Sequence, residues 1–383
     1  MQEEQFPFDG SSLNVSGHNC LYVVYEKMKI IKIVFSWLLG GVFFLAGILK
    51  LMDPVGTSLI VTEYLKFLRI PFMIPYAWWI GEILALSETI VGALVISCIW
   101  RNIAVCFSAV FLLFFTILTF TLYIVNPEMD CGCFGEALHL THFQSFLKNI
   151  VLDLFWVIAF IPYWNPHPIS RVKKVLFSIT LLLTVIFAIC CSLLIPPVDF
   201  TPMAPGIALF QPNGNLDDGP ILSFHNQKGE YADSLATSGH VLIISTYEPQ
   251  KLSIASWERI ADFKDLAINN NFKFLLLSTK TPLQLDSAFI SCKYIAERKT
   301  LLTLNRSNGG LTYISDGIII DKWAARRLPT ENHLKKLPLS EASKVTNLDP
   351  IILFISLGGF IITLLGLLIR ISQKGGRSSK TDS

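Results

Sequence analysis

Two cysteines separated by one glycine, Cys131-Gly132-Cys133, carry the clearest chemistry in this sequence. A pair this close bridges only through a bent backbone, and glycine permits the bend. A bridge of that kind is strained, and strained disulfides have higher potentials and exchange readily. That is the property a disulfide carrier needs. Asp130 and Glu136 flank the pair, and no lysine or arginine close by in the chain is there to stabilise a thiolate. His139 and His142 follow and could supply a base or a cation. Two other readings stand beside redox exchange. One is a structural bridge, or two inert thiols. The other is a zinc or copper site with Cys131, Cys133, His139 and His142 as ligands, although their spacing matches no standard finger.

The second group is Glu82 and Glu88, both inside an apolar stretch. A carboxylate within a membrane-spanning helix is costly and marks a candidate functional site. Glu88 lies deeper and is the candidate proton relay to a quinone. Glu82 lies near the outer end, where it could reach water. Six residues of helix put the two about 120° apart, so they need not share a face. The bland alternative is a hydrogen bond to Ser87, Ser97 or a neighbouring helix that holds the bundle together. Cys98, Cys106, Cys190 and Cys191 fall in apolar helices, where buried cysteine behaves as a small hydrophobe.

The elements that must position these residues are membrane helices. The chain has 383 residues, 52% hydrophobic and 16% charged, against roughly 25% charged in soluble domains. Its mean hydropathy is +0.52. A net charge of +2 argues against nucleic acid as a partner. Six apolar blocks are long enough to cross a bilayer, at 30–50, 75–99, 103–125, 146–163, 175–195 and 350–370. Lys27, Lys29 and Lys32 precede the first block and Arg101 separates the second from the third. Arg171, Lys173 and Lys174 separate the fourth from the fifth, and Arg370, Lys374, Arg377 and Lys380 follow the sixth. All fall on one side if both termini are cytoplasmic. The loop at 51–74 is then outside despite Lys66 and Arg69, together with the Cys131 loop and the polar stretch at 196–348. Residues 1–27 have no apolar core and are not a signal peptide. Either translation starts at Met28 or the segment is a disordered cytoplasmic tail.

Pro196, Pro197, Pro202 and Pro205 mark an extended exit from the fifth block. Beyond it, short buried-strand patterns at 241–245 and 272–277 enclose a helical period over 252–269. Asp316-Gly317 reads as the turn of a hairpin between 311–314 and 318–323, and 330–337 as a short closing helix. Strand, helix, strand, hairpin and helix make an α/β layer pattern.

That order resembles the thioredoxin-like fold. Ile221 to Tyr231 looks like the opening hairpin of its TlpA-type branch, and Arg306-Ser307-Asn308-Gly309-Gly310-Leu311 looks like the segment that carries the cis-proline. The sequence departs from the family in two places. Thr246-Tyr247-Glu248-Pro249-Gln250 holds no cysteine where the family has Cys-x-x-Cys, and Gly309 stands at the proline position. Cys292 is the one cysteine of this stretch, and a lone thiol cannot cycle between dithiol and disulfide within the domain. A binding or docking role is expected for it.

The membrane half carries its own resemblance. The run Gly40-Gly41-Val42-Phe43-Phe44-Leu45-Ala46-Gly47-Ile48-Leu49-Lys50-Leu51-Met52-Asp53-Pro54 resembles the first helix of the DoxX and MauE families. Gly81-Glu82-Ile83-Leu84 with Glu88 and Gly92 resembles their second helix, and Asp130-Cys131-Gly132-Cys133-Phe134-Gly135 their loop motif. Joined to a cysteine-less thioredoxin-like domain, the whole looks like a composite of Bacteroidetes DoxX family proteins. The resemblance implies a four-helix core and sulfur redox at the outer membrane face. MauE is associated with methylamine utilisation and disulfide formation, and DoxX relatives with thiosulfate–quinone chemistry.

The expectation is therefore an α-helical integral membrane bundle with an α/β thioredoxin-like soluble domain. Residues 1–29 form the tail, 30–165 the four-helix core and 175–195 the fifth helix. Residues 206–340 form the periplasmic domain, 350–370 the sixth helix and 371–383 a basic cytoplasmic tail. The chain is placed in the cell inner membrane. Cys131 and Cys133 exchange electrons, Glu88 and Glu82 serve protons, and a quinone is the candidate acceptor. The lipid bilayer and a periplasmic protein are the expected partners. The rival function is a non-catalytic scaffold whose soluble domain binds an envelope partner. A transporter is weaker, since no inverted repeat or broken helix pair is visible.

Overall fold

A computed structural model describes residues 11–97, 99–161, 171–193, 196, 198–209, 219–280 and 286–337. Its first part is helical: α1 (Ser11–Met52), α2 (Pro54–Phe67), α3 (Ala77–Ser97), α4 (Arg101–Val125), α5 (His142–Phe160) and α6 (Arg171–Leu193), with a short strand β1 (Cys133–Glu136) between α4 and α5. Five stretches are long and apolar enough to cross a membrane: Ile30–Met52, Pro71–Ser97, Arg101–Val125, His142–Phe160 and Lys174–Leu193. They coincide with the first five expected blocks. The sixth block at 350–370 and the basic tail after it lie outside the described residues.

The outward surface of this bundle suits lipid. Phe107, Val110, Phe114, Ile117 and Ile124 form an exposed apolar stripe along α4, a patch that water would not tolerate and a hydrocarbon core does. Inside, α1 and α3 approach closely. A Cβ on Gly40 would stand 2.8 Å from the Gly92 carbonyl oxygen, and one on Gly92 would stand 2.4 Å from the Phe44 nitrogen. Small residues at such crossings let backbones touch where lipid offers no hydrophobic drive to pack.

The segment 51–74, expected as a loop, is largely helical. Asp53 caps α2 by accepting the Gly56 N–H at 2.9 Å, and Pro54 occupies the first turn, where its missing N–H costs nothing. The 14 residues of α2 rise about 21 Å, short of the roughly 30 Å hydrocarbon core. The helix therefore lies against α3 without crossing. The Asp-Pro start was legible in the chain, but the apolar face of α2 (Val61, Leu65) is too short to register as a span.

The second part is a mixed sheet flanked by helices. Its strands are β2 (Phe224–His225), β3 (His240–Thr246), β4 (Lys273–Ser278), β5 (Lys293–Ala296), β6 (Gly310–Ser315) and β7 (Ile318–Trp323), in the order β2-β5-β4-β3-β6-β7. β3, β4 and β5 are parallel, and β2, β6 and β7 pair antiparallel with their neighbours. Helices α7 (Ile254–Asn269), α8 (Asp286–Phe289), α9 (Arg298–Leu304) and α10 (Glu331–Leu334) complete it. Strand alternation divides the core in two. Leu242, Ile244 and Leu276 face Trp257, Ile260 and Phe263 of α7. Val241, Ile243, Leu275 and Leu277 face Leu301 and Leu304 of α9. The hairpin turn lies at Asp316-Gly317, both with positive φ. β5 and α9 were not anticipated, because Lys293 to Leu304 is short and mixes charge with apolar residues.

The exit from α6 is packed down. Val198 and Phe200 pack against Leu51, Met52 and Phe187 at the end of the bundle. Beyond them, Ala208 bridges Ile318 and Leu209 N–H donates to the Gly317 carbonyl at 2.8 Å. The exit segment thus runs along the outer edge of β7.

Candidate functional site

The connection between α4 and α5 folds into a tight hairpin that holds both cysteines. Gly132 has φ +60°, the left-handed region, and a Cβ there would stand 2.4 Å from Ile60 Cγ2. Only glycine satisfies both the turn and the space against α2. Cys131 Sγ and Cys133 Sγ lie 3.0 Å apart. Tyr64 of α2 donates its hydroxyl to the Cys131 carbonyl, and its oxygen lies 3.8 Å from the Cys131 sulfur. At the far end, Thr141 and Gln144 form a capping box that starts α5.

Cys133 shares a cavity with buried Lys50 and half-buried Lys148, contrary to the expectation that no cation stands near. A cavity of about 30 Å³, enough for one water, is lined by Cys133, Lys50, Lys148, Glu88 and Asn149. Lys50 comes from the end of α1 and Lys148 from the second turn of α5, so sequence separation hid both. The hydrogen bond from Cys131 holds the Cys133 thiol well below the ordinary cysteine range, and Lys148 and Lys50 pull it the same way against burial. That same bond and burial push Cys131 up. Of the two sulfurs, Cys133 is the one that these groups favour as thiolate, the nucleophilic form.

Glu88 is buried and paired with Lys50, whose Nζ lies 2.7 Å from both carboxylate oxygens. Lys50 also stands 5.5 Å from the Phe115 ring centre. The structure thus brings Glu88 to the cysteines through Lys50, while Ser87 and Ser97 bond backbone carbonyls of their own helix. Glu82 is not part of this group. It is buried and lines neither cavity at the thiols. Asn149 fixes α5 to α4 beside Lys148, donating to the Phe115 carbonyl and to Thr119 Oγ1, each at 3.0 Å.

The four-ligand metal arrangement is not formed. His142 closes the loop between Asn126 Oδ1 at 3.0 Å and the Met129 carbonyl at 2.9 Å, and exposed His139 faces Asp130. Among the described residues no group of three or more His, Cys, Asp or Glu could hold a metal ion.

On its other side the hairpin walls a second cavity, of about 150 Å³. Ile60, Val61 and Leu65 of α2, Ile80 and Leu84 of α3, and Phe114 and Leu118 of α4 line it, with Cys131, Gly132 and Cys133 at its end. A cavity of about this volume in an apolar core admits a benzene-sized ring.

The sheet domain lies at the same end of the bundle as the cysteines, and Arg306 contacts both Asp53 and Glu136. The helices, the thiol hairpin and the sheet domain together define a multi-pass membrane protein with a paired-thiol site at the end that carries its sheet domain. Residues 28–164 match the family model of the methylamine utilisation protein MauE. The match spans Lys50, Glu88, Cys131, Cys133 and Lys148 and ends before α6, so this part of the chain is a MauE-like membrane unit. No curated protein and no solved structure matches the chain.

Proposed function

We propose that this protein is a membrane thiol–disulfide oxidoreductase that passes electrons from a protein dithiol to a quinone at the outer face of the inner membrane. The observation that carries the reading is the position of the Cys131–Cys133 pair. Its sulfurs lie 3.0 Å apart, between a lysine-lined chamber and an apolar cavity walled by α2, α3 and α4. A reduced pair of one thiolate and one thiol gives up two electrons and one proton as the S–S bond forms; a bound quinone would take up these and a second proton, relayed by Glu88 and Lys50, to leave as a quinol. A reduced partner protein then attacks the disulfide through a mixed disulfide, leaves oxidised and restores the dithiol. Cys133 is the sulfur that leaves as thiolate when the partner attacks the disulfide, Lys50 and Lys148 hold its charge, and Glu88 takes or returns protons through Lys50. Glu82 is left to bundle packing. The apolar cavity suits a quinone ring, which would bring two-electron acceptor chemistry to the sulfurs.

Orientation is part of the proposal. Lys32, Arg101, Arg171 and Lys174 lie at or near the ends of the apolar spans remote from the hairpin, which by the positive-inside rule favours a periplasmic hairpin and sheet domain. The sheet domain is read as thioredoxin-like and redox-inactive, a module that docks partners. Its loop at 246–250 has no cysteine and Cys292 is buried. The same loop favours the rival reading of a non-catalytic scaffold. The two separate on one variant: Cys131→Ser inserts at normal levels and loses dithiol oxidation altogether. Normal oxidation by that variant would refute the redox reading.

A further inference from the structure

We propose that Arg306 is a positioning residue of the thiol site, which clamps the sheet domain onto the cysteine hairpin and holds Cys133 against Lys50. The proposal rests on reading that hairpin as the reactive site. Arg306 follows α9 and is 7% exposed. Its Nε and Nη2 lie 3.0 Å and 2.9 Å from Asp53 Oδ2, and Nη2 lies 3.6 Å from Glu136 Oε1. Asp53 stands three residues beyond Lys50, and Glu136 three residues beyond Cys133. One guanidinium therefore ties together the two backbone segments that carry the thiolate and its lysine.

The clamp is anchored in its own domain. Arg306 Nη1 donates to the Leu302 carbonyl at 3.3 Å, and the Arg306 carbonyl accepts the Tyr247 hydroxyl at 3.1 Å. Asn308 fixes the adjacent loop through both its amide groups to the Glu248 backbone. On the membrane side, a Cβ on Gly56 would stand 2.4 Å from Asp53 Oδ2 and 2.7 Å from Glu136 Cγ. The two carboxylates thus converge where no side chain could fit. Beside the contact opens a cleft of about 550 Å³, with Pro54 and Trp78 on one wall and Lys251 and Arg259 on the other. Lys322 and Asp199 pair elsewhere in the junction at 2.6 Å, and Arg306 is the contact that reaches the hairpin itself. A planar, forked donor desolvated between two carboxylates specifies geometry that a lysine cannot reproduce, and losing one partner of such a pair weakens the contact by more than an order of magnitude.

The test uses the full chain in membranes with its thiols fully reduced, and reads the rate at which a small maleimide labels Cys133. Turnover is not needed, so failure of quinone-linked oxidation would leave this test standing. Arg306→Gln is expected to label at least about tenfold faster than the parent. Arg306→Lys is expected to fall between the two, and Lys251→Gln, which removes only an exposed pair with Glu248, to match the parent. Should Arg306→Gln fail to accumulate, Glu136→Gln leaves the Asp53 pair in place and is expected to give a smaller rise. An unchanged rate in whichever of these two variants is measured, or an equal rise in Lys251→Gln, would overturn the proposal.

Discussion

Three side chains bear on the charge of Cys133, and the chain places two of them far from it. Cys131 donates to it across one glycine, while Lys148 and Lys50 reach it from α5 and α1. Its lowered pKa means that the thiolate is present above that value and lost only as pH falls through it. Alkylation of Cys133 should accordingly stay fast below the ordinary cysteine range and level off early as pH rises. Lys148→Ala should move the midpoint upward by about one unit, as read from a pH series of labelling rates. A midpoint left in place would remove Lys148 from the site. The cysteines, Gly132 and Glu88 were legible in the sequence because their types are rare in such surroundings. The lysines were not, because a cation at the end of an apolar helix reads equally well as a headgroup anchor. Glu82 stands apart from this group. A carboxylate near the end of a span looks functional from sequence, and the structure leaves it out of both cavities that the thiols line.

At the scale of elements, α2 decides what the site can do. It supplies Tyr64 to the Cys131 carbonyl, Ile60 against Gly132 and one wall of the apolar cavity. Leu84 of α3 lines the same cavity opposite the hairpin. Leu84→Trp should fill it and slow reoxidation of the thiols by a quinone about tenfold or more, because a pocket already close to ring size has no room to repack. Reduction by a small dithiol should proceed at the parent rate, since Leu84 does not line the chamber that holds Cys133, Lys148 and Glu88. Equal rates with quinone in variant and parent would place the acceptor elsewhere. Five spans were legible as long apolar runs. The 14-residue α2 escaped because its pattern is shorter than the window that defines a span.

At the scale of the whole molecule, the two parts meet end to end. Lys322 of β7 pairs with Asp199 of the exit segment at 2.6 Å, and Arg306 pairs with Asp53. Both contacts join residues more than a hundred positions apart. Such pairs leave no local pattern, which is why the sequence showed the elements of the sheet domain and not how it sits on the bundle. β3, β4 and the β6–β7 hairpin were readable from their β-branched runs and Asp-Gly turn, and β2 falls in the segment read as an opening hairpin, whereas β5 is too short to carry a period of two.

The central claim is that Cys131 and Cys133 cycle between dithiol and disulfide with a quinone as acceptor. The direct measurement follows their thiol state in intact membranes by alkylation, first after a reductant and then after a quinone is added. The account predicts a pair that is reduced by the first and reoxidised only when the second is present. A pair that stays in one state throughout would contradict it and leave the scaffold reading in its place.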